Sequence, residues 1–508
     1  MRKKILLALA VFIAGLCSII YELLISTAAT YFLGNGVKQF SLIIGVYLCA
    51  MGFGAFISKF FKEKSLLFFI RIEYLLGLIG GISVPLIYYL FITVSPVALQ
   101  FYCLFIIFII GLLTGMEVPL LTFVSSEKEV KDDLSNILSL DYIGGLIATL
   151  IFPFLLLPFL GLFYSSLVFG IVNIVLGLVL SVRFYKNKKL QLVPGIVALL
   201  ALALLVFYTG SLLKVWDEKI YKNPIVFNKQ TPYQKIVLTK NATDDIRLYL
   251  NRIIQFSSKD EHRYHESLVH VPLVLHKKPE RVLILGGGEN LASREVLKDS
   301  SVAVIDVVDI DKEIFKLAKE HALIKKINEN AALNKKVNLI AQDAFTFLNT
   351  CKIKYDLIIA DLPDPVNENI ARLYSKQFFL MVKRTLNKDG IFVTQSGEIY
   401  FSNTVFSCIH TTMQEVFERV EPYHVYIPSF GDWGFNMAFK TTEKPIRKKM
   451  LPDGLKFLNT TQLNHLYVWP TDVTIKNTAI NTLDNPIILN YYLDDWKLWK
   501  KEFETSGP

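Results

Sequence analysis

Two aspartates separated by two residues stand in the run Asp361-Leu362-Pro363-Asp364-Pro365, where the prolines stiffen the loop. Acids so placed can attract a cationic amine and take a proton from it. An ammonium has no free lone pair, so it must be deprotonated before it can attack as a nucleophile. An ordinary capped turn would carry the same letters. The preceding stretch, 355–360, has the pattern of a buried strand, and open α/β sheets bind ligands beyond the carboxyl ends of their strands. A second constellation precedes it. Residues 282–285 read as a strand and run into Gly286-Gly287-Gly288; a helical stretch follows, then a strand at 302–308 ending on Asp309-Ile310-Asp311. Glycines after a first strand let the backbone approach a ligand, and an acid about 20 positions on accepts hydrogen bonds from ribose hydroxyls. Leu291 and Ala292 stand where a dinucleotide fingerprint needs its last glycine. The pattern therefore favours a cofactor with adenosine but no phosphate, of the S-adenosyl type.

Further candidates flank these. A strand at 337–340 leads to Asp343-Ala344, where the acid could accept from an adenine amino group or simply cap the next helix. Residues 255–266 gather Gln255, Glu261, His262, Tyr264, His265 and Glu266. Their spacing does not match HExxH, so an amphipathic helix over the crevice is expected rather than a metal site. Five cysteines without a CxxC pair suggest neither zinc nor a disulfide framework. Four acids, Glu22, Glu73, Glu117 and Asp141, lie within apolar runs. Such residues usually face a bundle interior or a cavity. They could line a cation or polyamine pathway; alternatively Glu73 pairs with Arg71, and Glu22 and Asp141 sit near interfaces.

These residues need elements to hold them, and composition divides the chain in two. Hydrophobic residues make up 52% of the 508 and charged residues 19%, against roughly 25% charged in an average soluble protein. The apolar excess is confined to the first part, so a boundary is expected near Ser211. Segments at about 5–25, 38–58, 66–92, 97–124, 137–159, 162–182 and 191–209 are long enough to cross a bilayer, which takes about 20 apolar residues. The net charge of +9 does not indicate nucleic-acid binding. Its clusters, Arg2-Lys3-Lys4, Lys59/Lys62/Lys64 and Arg183/Lys186/Lys188/Lys189, flank the apolar segments as positive-inside topology would place them. β-rich stretches at 236–238 and 246–254 precede the Gly-rich loop.

Taken together, 255–270, the GGGENLASREVL loop, Asp309-Ile310-Asp311, DLPDP, Leu373-Tyr374-Ser375 and 390–395 resemble the spermidine synthase (polyamine aminopropyltransferase) family. The apolar N-terminal part and the tail motifs at 428–435 and 481–484 look like the multi-span membrane branch of that family. The resemblance implies transfer of the aminopropyl group of decarboxylated S-adenosylmethionine, a co-substrate, to putrescine or another small amine. The products would be spermidine and methylthioadenosine, with no metal and no permanently bound cofactor. It implies Asp361 as base with Tyr264 assisting, and Asp364, Gln255 and His265 at the substrate. The cofactor would contact Gln234, Gly286, Gly287, Gly288, Glu289, Asp309, Asp343 and Ala344. The sequence departs from the family's pattern in three places. Glu289-Asn290-Leu291 replaces an aspartate followed by glycines, Leu250-Asn251-Arg252 replaces Leu-Asp-Gly, and Phe430 stands where a tyrosine is often found. A glutamate moves its carboxylate by more than about 1 Å, and misplacement of that order can cost about 100-fold in rate. Methyl or other alkyl transfer from S-adenosylmethionine, and a non-catalytic polyamine transporter or sensor, are the alternatives.

The expected architecture is an N-terminal all-α polytopic membrane bundle (1–210, about seven spans). A linker and small β-hairpin region (211–275), an α/β Rossmann-like domain of the S-adenosylmethionine-type methyltransferase-like class (276–445) and a C-terminal extension (446–508) follow. The bilayer is the expected partner, nucleic acid is not, and the resemblance allows a homo-oligomer. A cytoplasmic catalytic domain suits the cofactor, although the basic clusters with seven spans argue for the opposite side.

Overall fold

A computed structural model describes residues 2–124, 130–185, 189–443 and 446–505. The chain forms two compact units, Met1–Lys222 and Asn223–Pro508. The boundary falls later than Ser211 because the last helix of the first unit continues through a polar end to Tyr221. Lys186 and Lys188 of the third basic cluster, and residues 444–445 at the expected end of the Rossmann-like domain, lie outside the described residues.

The first unit consists of long apolar helices: α1 (Arg2–Leu33), α2 (Gly36–Ser58), α3 (Ser65–Phe91), α4 (Pro96–Val124), α5 (Val130–Ile151), α6 (Gly161–Phe184) and α7 (Lys189–Tyr221). A 3-10 helix at Lys59–Lys64 joins α2 to α3, and a π-helix at Phe152–Leu160 joins α5 to α6. By length and composition these helices make five continuous stretches able to cross a membrane, two of them 56 and 51 residues long. Small residues set how the helices pair, as expected where apolar burial does not itself favour helix association. A Cβ at Gly54 or Gly115 would strike the backbone of Leu112 or Met51, joining α2 to α4. Gly77 and Gly170 do the same for α3 and α6, and Gly144 for α5 against α1. Glu73 is fully buried, and the Arg71 guanidinium lies 5.9 Å from the Phe68 ring centroid. The alternative of a Glu73–Arg71 pair is therefore not realised: Arg71 is two residues away on the helix and points outward.

The second unit opens with β1 (Ile225–Gln230), β2 (Lys235–Lys240), β3 (Ile246–Leu250) and β4 (Ile253–Ser257), paired in that order as an antiparallel sheet. Asn251 and Arg252 both adopt positive φ, 49° and 72°, in the turn between β3 and β4. A two-residue hairpin turn with both φ positive is the kind Asp-Gly also makes, so the replacement keeps the turn. Helix α8 (Glu261–Leu275) then leads into the main sheet.

That sheet holds β5 (Arg281–Gly286), β6 (Val304–Asp309), β7 (Val337–Ala341), β8 (Tyr355–Asp361), β9 (Leu386–Glu398), β10 (Arg419–Ile427) and β11 (Gly431–Phe439). Their order is β10-β11-β9-β8-β5-β6-β7, with β9 to β7 parallel and the last hairpin antiparallel. The chain runs outward from β5 through β6 to β7, then returns to β8 on the other side of β5. Strand direction of growth thus reverses between β5 and β8, which is where open α/β sheets bind ligands. β5, the middle of β8 and the stretch of β9 from Ile391 to Val393 are buried apolar runs, as parallel strands covered on both faces should be. The segment after β11 is not a loose appendage. Leu458, Leu463 and Leu466 join the core beside α8, and Ile488 and Leu489 join the core on the other face.

Candidate active site

The register of the two central strands brings the glycine loop against the acidic loop. Gly286, the last residue of β5, pairs with Asp361, the last of β8. Gly286 has φ +82°, and a Cβ there would collide with the Asp361 carbonyl oxygen, so only glycine fits. Gly287 follows at φ +60° and Asn290 at φ 68°. Asn290 replaces a glycine of the resembled family, yet it tolerates this conformation and ties the loop to itself. Its side-chain amide donates to the Gly288 carbonyl at 2.7 Å. Around this junction lies a cleft of about 490 Å³.

The cleft collects Gln234, Gln255, Tyr264, His265, Gly286, Gly287, Glu289, Asp309, Asp343, Ala344, Asp361 and Asp364, all singled out from sequence. Gly288 does not line it. A Cβ at Gly288 would stand 2.8 Å from the Asp309 Oδ2, so this glycine makes room for Asp309 instead.

At the cofactor end, Asp309 terminates β6 and accepts from the Asp311 amide at 2.9 Å. Burial pushes its carboxyl up to about 6, against backbone hydrogen bonds that lower it. Asp311 orients Gln234, accepting from its Nε2 at 3.1 Å and from the Thr231 hydroxyl at 2.7 Å. Asp343 caps the following helix through the Thr346 amide, at 2.9 Å. Its other oxygen pairs with the Arg372 guanidinium at 2.6 Å, and both residues line the cleft. Capping and cleft-lining are therefore compatible, one oxygen serving each.

At the reactive centre, the Tyr264 hydroxyl on α8 donates to Asp361 Oδ1 at 2.7 Å. Burial raises the Asp361 carboxyl, opposed by the His265 charge and the Tyr264 bond. Burial also raises Tyr264, and the neighbouring Asp361 charge adds to it, so the phenol stays a donor. His265 is fixed from behind. Its Nδ1 bonds both the backbone oxygen of Glu261 at 2.9 Å and the Glu261 carboxylate at 2.8 Å. Glu261 in turn receives two bonds from Arg294, each 2.9 Å. Burial alone would raise that carboxyl, but His265 and Arg294 outweigh it and hold Glu261 at about 2. For His265 the bond to Glu261 likewise outweighs burial and raises the imidazole. Its free Nε2 stands 3.9 Å from Glu289. Burial first, then the Asp361 charge, push Glu289 up to about 8. His265, Glu289 and Asp361 present ligand atoms within 4.8 Å of one another, a set as suited to an ammonium as to a metal ion.

Beyond Asp361, burial raises Asp364 to about 6. Sequence reasoning assigned no role to the residues that hold its loop. Gln395 donates to the Leu362 carbonyl and bonds the Tyr374 hydroxyl, each at 2.6 Å. Tyr374 donates to the Pro363 carbonyl at 2.9 Å. Both lay inside recognised motifs, but nothing local marks a side chain that buttresses a loop 10 to 30 residues away. Phe430 and Trp433 also line the cleft, with centroids 5.2 Å apart. Their loop is pinned to the start of α8, because Asp260 accepts from the amide and hydroxyl of Ser429 at 2.7 and 2.9 Å.

The chain is similar to several known proteins. The spermine/spermidine synthase domain family matches residues 261–450. A polyamine aminopropyltransferase from Leptospira interrogans is 39% identical, covering 96% of this chain and 98% of its own. One from Oceanobacillus iheyensis is 36% identical, covering 96% of each. A spermidine synthase structure from Thermotoga maritima aligns at 25% identity and a TM-score of 0.45, covering 48% of this chain and 84% of that one. With similarity at this level running through both units, the chain belongs to the polyamine aminopropyltransferase family.

Proposed function

We propose that this transferase moves the aminopropyl group of decarboxylated S-adenosylmethionine to putrescine, working from a membrane-embedded N-terminal unit. The observation that carries the chemistry is the Tyr264–Asp361 hydrogen bond beside the Gly286–Gly287 turn. The adenosyl part of the co-substrate takes the Asp309 and Asp343 end, and its aminopropyl ammonium takes Glu289. Putrescine lies past Asp361 with its far ammonium at Asp364. Asp361 removes a proton from the near ammonium. The freed nitrogen lone pair attacks the methylene carbon next to sulfur, the carbon–sulfur bond breaks, and its electrons stay on sulfur. A neutral thioether, methylthioadenosine, leaves, and the new secondary amine is spermidine. Enclosure in the sheet crevice strips water from the amine, and acids lining the crevice concentrate two cationic substrates.

Glu289 argues against S-adenosylmethionine itself as the donor, because a decarboxylated donor presents only an ammonium, which draws Glu289 into its ionised form, whereas a methionine carboxylate beside it would oppose that ionisation. The intact Tyr264–Asp361 pair argues for turnover rather than passive binding. Membrane embedding is supported by the five long apolar helical stretches.

Purified full-length protein given putrescine and decarboxylated S-adenosylmethionine is expected to release methylthioadenosine and spermidine in equal amounts. Asp361→Asn should lower the rate by about 1,000-fold, the scale of a lost general base. A well-folded wild type that binds the co-substrate but forms neither product would overturn the assignment.

A further inference from the structure

Transferase chemistry leaves the interior of the helical unit unexplained, and packing alone does not account for what is there. Glu73 on α3 and Glu117 on α4 are 0% and 3% exposed, and their carboxyls lie within hydrogen-bonding distance of each other, so that one proton can be shared between them. Tyr21 on α1, also 0% exposed, lies within reach of both carboxylates. Its ring packs on Gly80, two helical turns after Glu73 on the same helix. On α6, Gly177 abuts the Glu73 Cβ, and Asn173, 1% exposed, stands one turn earlier on that face. Among the described residues, several polar atoms of this cluster have no hydrogen-bond partner. They are the carboxyl oxygens of Glu73 and Glu117 that are not used between the two acids, the Tyr21 hydroxyl and both polar atoms of the Asn173 carboxamide.

Each orphaned buried polar atom costs about 1–3 kcal/mol, and an unpaired buried charge costs more. Protein cations do not offset this: among the described residues of the helical unit, none of the buried side chains is Lys, Arg or His. The unpaired groups are mainly oxygens, two carboxylates with a phenol and a carboxamide, which suit a hard cation or the N–H donors of an ammonium. A compact divalent site would draw a third His, Cys, Asp or Glu close to the pair. Among the described residues, that closeness is found only for His265, Glu289 and Asp361 in the other unit. One proton shared between Glu73 and Glu117 leaves the pair a single negative charge, which matches a monovalent cation.

We propose that the helical unit binds one monovalent cation, an alkali ion or a primary ammonium, between Glu73 and Glu117, with Tyr21 and Asn173 completing its contacts. Asp141 on α5, near Glu117, and Cys17 on α1 border the site. The inference stands on helix packing and does not depend on the aminopropyl-transfer assignment. An alkali ion and a primary ammonium share this chemistry, and separate titrations distinguish them.

Full-length protein in lipid nanodiscs, unfolded thermally at constant ionic strength, tests this directly. Choline chloride, a quaternary ammonium with no N–H to donate, is replaced stepwise by sodium, potassium or methylammonium chloride. The expected result is a saturable rise in midpoint with at least one of these over choline. Tyr21→Phe and Asn173→Ala should raise the half-saturating concentration about 10-fold, as losing one contact to a charged group does. Glu73→Gln should abolish the response. A single cooperative transition and a monodisperse elution profile in choline report that each variant is folded. If Glu73→Gln does not fold, Tyr21→Phe, which removes a single hydroxyl, carries the test. A midpoint that follows pH but ignores all three cations overturns the proposal, as does a response unchanged in Tyr21→Phe and Glu73→Gln.

Discussion

Glu289 is where this chain differs most from its relatives' usual loop, and its surroundings indicate what the difference does. Its carboxyl is pushed up to about 8, by burial and by the Asp361 charge, so at neutral pH it is largely protonated in the free protein. A cation arriving at the site favours the ionised form, so binding expels a proton. The affinity for decarboxylated S-adenosylmethionine should therefore rise with pH toward about 8 and level above it. Asp364, at about 6, should give the affinity for putrescine its own rise at lower pH. The facing His265, raised by Glu261, adds to the rise as it loses its proton. Calorimetry in buffers of different ionisation enthalpy would count the protons released. Glu289→Gln should remove the upper limb, and an unchanged profile would assign it to another group. Glu289→Asp restores the shorter acid, and a higher rate is expected if the extra methylene misplaces the charge. The His265, Glu289 and Asp361 cluster permits a metal in principle. Amine transfer through Asp361 uses none, so a chelator such as EDTA is expected to leave the rate unchanged; loss restored by a divalent ion would reassign the cluster.

At the scale of elements, the site is legible where chemistry coincides with a strand end and illegible where it depends on distant packing. Asp361, Asp309 and the glycines follow apolar strand runs, so type and position could be read together. Arg372, Gln395 and Tyr374 could not be read, since their value lies in contacts with Asp343 and the carbonyls of residues 362 and 363. The strand at Ile225–Gln230 also escaped notice: it is an edge strand with every second residue exposed, and edge strands need less apolar sequence. The C-terminal segment is a similar case. Glu266 on α8, 1% exposed, accepts from the backbone amides of Lys456, Phe457 and Leu458 at 2.7, 3.0 and 2.8 Å. This anchors a distant stretch beside the helix that carries Tyr264 and His265. Glu266→Ala leaves three amides without their acceptor and should destabilise the protein by about 3 kcal/mol or more. Thermal unfolding of the second unit would show it, and Glu266→Gln, keeping one acceptor, should recover part of the loss. An unchanged midpoint would mean that water replaces the carboxylate and that the segment is held by its apolar contacts alone.

For the whole molecule, the open issue is the side of the membrane on which the transferase unit works, and two physical arguments point in opposite directions. Basic clusters at 2–4, 59–64 and 183–189 favour those loops on the cytoplasmic side. If each of the seven helices crossed once, the second unit would then lie outside. Five continuous stretches, each crossing once, would give an odd number as well. The co-substrate argues the other way, because an adenosyl sulfonium is made and consumed inside the cell. Topogenic charge biases act on the order of a kcal/mol per residue near a membrane surface, whereas a transferase without its co-substrate has no activity at all. A cytoplasmic second unit is therefore the expected placement, which requires one apolar helix to enter and leave on the same side. In sealed inside-out vesicles, added trypsin should remove a tag on the C-terminus and destroy aminopropyl transfer; right-side-out vesicles should be spared until detergent is added. The reverse pattern would place the transferase outside. It would also mean that the amine acceptor and the adenosyl donor must both be supplied there, which assays on intact cells with external substrates could then confirm.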